Sequence, residues 1–382
     1  MNKIAGVIGT KIARAMTKSK GENWWNWYQT PLMSSASRAI VERIGFVDFI
    51  IDVRDARVRL SRQCTNCLIK CQNLLFGILF SNFLCVLSQV PLSSAWHLPG
   101  ANIIQSSRRI IVLNKIDLAD RSQLKQLQER FKDQCCACCG VDSHNKDSVK
   151  QLLNLIHTQV SKVPTNPRSA VTLMIIGIPN VGKSALANTM HVVGRLSAEE
   201  KGKFKHSTVS SRPGETKEIT SLKIASHPSI YLIDTPGVLR TETPSVESIS
   251  KLALTGALDD DCIDAKLLAG YFLVILSLSD EYKGWVRYSG EGTKQHHSDH
   301  TRDDMVHAVR GAIYDVITRF DGEVRDEDEW KRIVRMHMCS LREILLASDE
   351  YGSEVSVKVA KKIINLFRIG RLGHFTLDYV HL

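Results

Sequence analysis

Four short apolar runs mark the first two-thirds of the chain: FVDFIIDVRD (46–55), RRIIVLNKID (108–117), TLMIIGIPN (172–180) and SIYLIDTPG (229–237). Continuous apolar stretches of this length suit strands covered on both faces, as in a parallel sheet. Between them, DRSQLKQLQERFKDQ and KDSVKQLLNLIHTQVSKV repeat apolar residues at helical spacing. Strands alternating with helices predict an α/β, doubly wound and mostly parallel sheet. PTNPRS (164–169) is the one proline-rich joint in this part. After about Arg240 the strand pattern stops. ESISKLALTGALDDDCIDAKLLAGYFLVILSL and SEVSVKVAKKIINLFRIG read as amphipathic helices, so a helical C-terminal domain follows, split by a polar loop at 289–304. No internal repeat is visible.

The composition of the 382 residues, 43% hydrophobic and 24% charged, is ordinary for a globular chain with one large and one smaller domain. The net charge of +10 changes the picture because it is uneven. Residues 1–240 hold 32 Lys+Arg against 16 Asp+Glu, whereas residues 241–382 hold 18 against 24. A polyanionic partner is therefore expected on the first part, the plain alternative being a solvated basic surface. The N-terminus carries Lys3, Lys11, Arg14, Lys18 and Lys20 with no acidic residue before Glu22, and Ile4, Val7, Ile8 and Ile12 fall at helical spacing. Residues 1–22 thus read as an organelle-targeting segment, or else as a surface helix at a domain edge. Ten cysteines include Cys64, Cys67 and Cys71 and the cluster Cys135, Cys136, Cys138 and Cys139. Neither group has the matching pair that a tetrahedral zinc site needs, and the second suits a short buried strand in which cysteine acts as a small apolar residue.

The chemistry sits at the strand ends. GIPNVGKS (177–184) matches a phosphate loop and lies between a strand and a helical start. Gly177 and Gly182 let backbone N–H groups curl around phosphates, Lys183 reaches the β- and γ-phosphates, and the Ser184 hydroxyl binds Mg2+. Val181 and Ala185 complete the stretch that wraps the nucleotide. LIDTPG places Asp234 on the magnesium side and offers the Gly237 amide to the γ-phosphate. RPGETKEI puts Thr216 in the loop between, where its hydroxyl is expected to complete the magnesium shell. NKID (114–117) reads guanine: Asp117 accepts from the two N–H groups of the base edge, Asn114 ties the loop together, and Lys115 and Ile116 cover the base. A site built around such an acceptor rejects bases that cannot donate to it. In VDSHN, Ser143 is expected beside the base carbonyl.

The base reader precedes the phosphate loop, the reverse of the usual GTPase order. Rotating the chain start leaves the same sheet, because domain termini often lie close together. The order NKID, VDSHN, GIPNVGKS, PGET, DTPG resembles the circularly permuted GTPases of the YlqF-like family. The DAR at 55–57 and FRIGRLGHFTLD (367–378) are similar to that family too, with plant mitochondrial DAR GTPases the nearest likeness. The resemblance covers about residues 23–382. It implies GTP and Mg2+ as cofactors, a monomer, and help in assembling the large subunit of a mitochondrial ribosome on the matrix side, with the plastid as the alternative. The precursor subunit and its rRNA are the implied partners, and peripheral association with an organelle membrane is a further expectation. The loop 199–212 is the expected rRNA contact, and Lys358, Lys361, Lys362, Arg368 and Arg371 form a local basic strip that is either a second contact or a solvated helix face. Asn180 looks like the asparagine with which related GTPases hold K+ against the phosphates, its plain alternative being a helix cap. Lys183, Thr216, Gly237 and Asn180 are thus the candidate catalytic groups. Val238 stands where many GTPases carry a water-orienting Gln, and Thr30-Pro31-Leu32-Met33 stands where the family carries Pro-Gly-His-Met. These departures favour slow unaided turnover, and they leave a second reading open: a GTP-sensing protein-binding switch that barely hydrolyses.

The expected layout is a targeting segment over 1–22, a circularly permuted P-loop GTPase domain over 23–240 and a helical domain over 241–382. Residues 58–89 are an atypical insertion with no acidic residue and four of the ten cysteines. Removing them restores DARVPLSS, and their first and last codons fit intron borders in frame. A retained intron is one reading, a lineage-specific insertion the other.

Overall fold

The computed structural model describes residues 10–12, 14, 31–58, 108–133, 137–163, 170–197, 220–239, 246–279, 304–322, 327–346, 353–373 and 377. Thr216, the loop 199–212 and nearly all of the 58–89 insertion lie outside them. The chain forms two compact units. One comprises Trp25–Thr243 with Thr376–Leu382, the other Met1–Trp24 with Pro244–Phe375.

The first unit is built on a six-stranded sheet in the order β3-β2-β1-β4-β6-β5. Its strands are β1 (Phe49–Asp55), β2 (Arg109–Asn114), β3 (Ala137–Val141), β4 (Val171–Ile176), β5 (Thr220–Ser226) and β6 (Ser229–Asp234). β1 pairs in parallel with β2 and β4, β2 with β3, and β4 with β6; only β5 runs antiparallel, against β6. All seven β1 residues are buried, including Asp52, Arg54 and Asp55. A charge in such a strand needs a partner, and Asp52 accepts from Arg54 Nη2 and from Arg109 Nη2, each at 2.7 Å. Burial alone would raise the Asp52 carboxyl, but the two guanidinium groups lower it to about 2.

Helices cover the sheet: α1 (Pro31–Ile44), α2 (Arg121–Asp133), α3 (Lys146–Ser161) and α4 (Lys183–Ser197). α1 buries Ala36, Ile40 and Ile44 against Ile50, Met174, Ile176 and Val238. α2 places Leu127 and Phe131 in a second cluster with Ala56, Ile111 and Leu113. α3 begins at Asn145, whose side chain accepts from the N–H groups of Asp147 and Ser148 and so caps the helix. The strand expected in the cysteine cluster is β3, but it is an edge strand. Cys138 and Cys139 are half-buried, and among the described residues no further strand lies outside them.

The second unit is helical: α5 (Val246–Leu254), α6 (Ala265–Leu278), α7 (Asp304–Arg319), α8 (Glu327–Leu345) and α9 (Ser353–Arg368). The long apolar stretch read as one helical region is broken into α5 and α6. Gly256 takes a positive φ of 78° after α5, and Asp264 caps the start of α6. Phe272 and Phe367 pack with ring centroids 4.8 Å apart. The N-terminal segment contributes here as well: residues 10–12 and 14 are helical, Ile12 is 1% exposed, and Lys11 Nζ lies 5.2 Å from the Trp330 ring. No described helix is long and apolar enough to cross a membrane.

Candidate nucleotide-binding site

The site forms where the C-terminal ends of β4, β6, β1 and β2 meet, the place where open α/β sheets bind ligands. β4 ends at Ile176 and α4 starts at Lys183, so GIPNVG turns between them. Its glycines are required by close approaches. A Cβ on Gly177 would lie 2.6 Å from the Val53 carbonyl, and one on Gly182, at φ +91°, would run into the Asn114 side chain. Lys183 Nζ donates to the Ile178 carbonyl at 2.8 Å across the loop. Burial lowers the Lys183 ammonium to about 8, with Asp234 pulling it back up and Lys115 pushing it further down. A polyphosphate would supply the negative charge this ammonium lacks.

Register puts Asp234 beside the loop, because Ile175 of β4 pairs with Asp234 of β6. Asp234 is fully buried and Ser184 nearly so, a hard-oxygen pair suited to Mg2+. These two residues would hold the ion, whose role when bound is to neutralise phosphate charge. The segment after β6 crosses the phosphate loop. Thr235 Oγ1 donates to the Ile175 carbonyl at 2.6 Å, and Val238 N–H donates to the Gly177 carbonyl at 3.3 Å. Gly237 passes so close that a Cβ would sit 2.6 Å from the Pro179 backbone. Val238 is 3% exposed and belongs to the α1 cluster, so its side chain serves the core. Leu32 falls within α1, but its side chain is outside the described ones.

The NKID turn (114–117) is stitched to the phosphate loop. Asn114 Nδ2 donates to the Val181 carbonyl at 2.8 Å, and Lys115 Nζ donates to the Asn180 carbonyl. Lys115 (φ 63°) and Asn180 (φ 58°) both adopt left-handed backbone, a strain that the two cross-bonds hold in place. Asn114 Oδ1 is buried and makes no hydrogen bond among the described residues, leaving an acceptor beside the base position. Ile116 N–H reaches the Val141 carbonyl at 3.4 Å. Asp117 stands at the mouth, open to solvent, yet the surrounding protein and the neighbouring Asp142 raise its carboxyl above the ordinary value. Guanine N–H donors would relieve that pressure. Ser143 is buried, and its carbonyl accepts from Thr189 Oγ1 of α4 at 2.8 Å, tying the VDSHN turn to the helix that starts at Lys183. The structure thus brings together Asn114, Lys115, Ile116, Asp117, Ser143, Asn180, Val181, Gly182, Lys183, Ser184, Ala185, Asp234 and Gly237; Thr216 lies outside the described residues. Sequence reasoning missed the cross-bonds of Thr189 and Thr235, which no motif announces.

A phosphate loop, a magnesium-side carboxylate and a guanine-reading turn, joined on one sheet in this chain order, define a circularly permuted P-loop GTPase. The family described as "50S ribosome-binding GTPase" matches residues 172–268. The chain is 40% identical over 397 residues to "DAR GTPase 2, mitochondrial" of Arabidopsis thaliana, spanning 99% of this chain and 96% of that protein. It is 31% identical to "Short integuments 2, mitochondrial" of the same plant, over 98% and 93% of the two chains. It is 33% identical to "Mitochondrial ribosome-associated GTPase 1" of Xenopus tropicalis, over 46% and 56%. The chain belongs to the YlqF-like DAR GTPases, binds guanine nucleotide and hydrolyses GTP.

Proposed function

We propose that this GTPase assists assembly of the large subunit of a mitochondrial ribosome, binding a precursor particle in its GTP form and leaving after hydrolysis. The observation that carries the reading is connectivity. The strand that senses the γ-phosphate, β6 with Gly237, runs on directly into the helical unit, so loss of the phosphate has a mechanical output. The names of the relatives and the basic charge of residues 1–240 support an rRNA-rich partner. In this reading Thr216 completes the magnesium shell, the loop 199–212 meets rRNA, Asn180 helps hold K+, and the protein works as a monomer in the matrix. Co-sedimentation tests it: the full chain with a non-hydrolysable GTP analogue should pellet with mitochondrial large-subunit particles and be released by salt, and absence of that nucleotide dependence would overturn the reading. Asp117→Asn should shift preference from GTP to xanthosine triphosphate, which keeps the N1–H donor but carries a carbonyl acceptor at position 2 in place of guanine's amino donor.

Burial of Val238 favours a second reading, a GTP-sensing protein-binding switch with negligible turnover. Under the first reading turnover rises with added particles and is faster in K+ than in Na+; under the second it stays negligible with both.

A further inference from the structure

The DAR turn lies outside the phosphate-binding and base-reading motifs, yet each of its residues is spent on the base side of the site. Asp55 ends β1, where Oδ1 accepts from Arg57 N–H and Arg57 Nε, both at 3.0 Å, and Oδ2 accepts from Arg57 Nη2 at 2.8 Å. The same Oδ2 lies 3.2 Å from Lys115 Nζ. Ala56 N–H donates to the Asn114 carbonyl at 2.9 Å, and its methyl sits in the cluster with Leu113. Arg57 is 1% exposed and Asp55 3%, so neither has solvent as an alternative partner. The ammonium of Lys115 is thereby held between two fixed points, the Asp55 carboxylate and the Asn180 carbonyl.

We propose that Asp55 and Arg57 are positioning residues for guanine recognition: Arg57 orients the Asp55 carboxylate, and that carboxylate fixes the Lys115 stem over the base. The inference rests on the reading of residues 114–117 as the guanine reader. It accounts for an arginine buried to 1% exposure at the end of β1 with its guanidinium on Asp55. It also gives Lys115 a reason to hold left-handed backbone, since its side chain must span from the turn to β1.

The test is a double-mutant cycle on the full chain, read as GDP affinity and as the GDP:ADP ratio. D55N/R57Q removes both charges together, so Arg57 is not stranded and the partly exposed Lys115 ammonium keeps the Asn180 carbonyl and solvent, whereas D55N alone strands Arg57. D55N/R57Q should weaken GDP about tenfold and narrow the GDP:ADP ratio, as should Lys115→Ala, a coupling of ~1.4 kcal/mol. Adding D55N/R57Q to Lys115→Ala should then change affinity less than about twofold, because the pair acts through the lysine. Equal losses with and without Lys115, or wild-type GDP affinity in D55N/R57Q, would overturn the inference. If D55N/R57Q does not fold, Arg57→Lys, which keeps the charge but not the fork, takes its place with the same non-additivity expected and the same additivity as the failing result. If Asp117→Asn leaves GTP preference intact, the guanine-reader assignment has failed rather than the positioning of Lys115.

Discussion

The arginine–aspartate clamps Arg57–Asp55 in the sheet unit and Arg368–Asp260 in the helical unit use the same pair of groups and differ in what they do. In the sheet unit Arg57 grips Asp55 with both residues at 3% exposure or less. In the helical unit Arg368 grips Asp260 with two 2.7 Å bonds, but its side chain is 21% exposed and that of Asp260 54%. Arg368 also donates to the carbonyls of Leu254 and Ala253, closing the end of α5. The buried clamp places a third residue, Lys115, whereas the exposed one joins helix ends. Identical chemistry therefore carries specificity in one place and helix packing in the other, and burial decides which.

The comparison breaks most sharply on Asp55. Asp55→Asn should destabilise the sheet unit by about 3–5 kcal/mol in urea unfolding, because it leaves Arg57 buried and uncompensated. A loss below about 1 kcal/mol would show that water reaches the clamp.

Acid should separate the units next. His337 of α8 is fully buried, and burial lowers it to about 4. The unfolded chain binds this proton near pH 6.5 and the folded chain only near 4, so the helical unit loses stability as pH falls through that window, by about 3 kcal/mol. In the sheet unit Asp52, lowered to about 2, keeps its full contribution until pH falls below about 4. Unfolding followed separately in the two units should show the helical one weakening first, and His337→Leu should remove its slope between pH 6.5 and 4. An unchanged slope in that variant would assign the window to another group.

The smallest effect is expected at the exposed clamp. Asp260→Asn should cost no more than about 1 kcal/mol, since solvent and salt already screen the pair. A cost near that of Asp55→Asn would erase the distinction between the clamps.

The parts of the site that were legible in the sequence are those fixed by local turns. Gly177–Ser184 and Asn114–Asp117 announce themselves because glycines and a short polar string must occur in fixed spacing. β1, β2 and β4 were legible because both faces are covered, which forces continuous apolar runs. β5 was not, because an edge strand with alternating exposure, Thr220–Ser226, carries no such run. The bond of Asn114 to Val181 joins residues 67 positions apart, and no spacing rule encodes it. The basic strip over residues 358–371 shows a different limit. Arg368 is spent on Asp260, and Lys362 donates to the Leu345 carbonyl at 2.6 Å, so at least two of its five cations serve helix packing. A composition count sees their charge but not their partners.

The last described residue, Leu377, donates its N–H to the Arg57 carbonyl at 2.8 Å and is 6% exposed. The Pro244–Phe375 part of the helical unit is therefore an insert in the sheet unit's chain path rather than a trailing appendage. During synthesis the DAR turn waits for this partner until residue 377 has emerged, and a truncation placed after Thr243 removes a piece of the sheet unit along with the helical one.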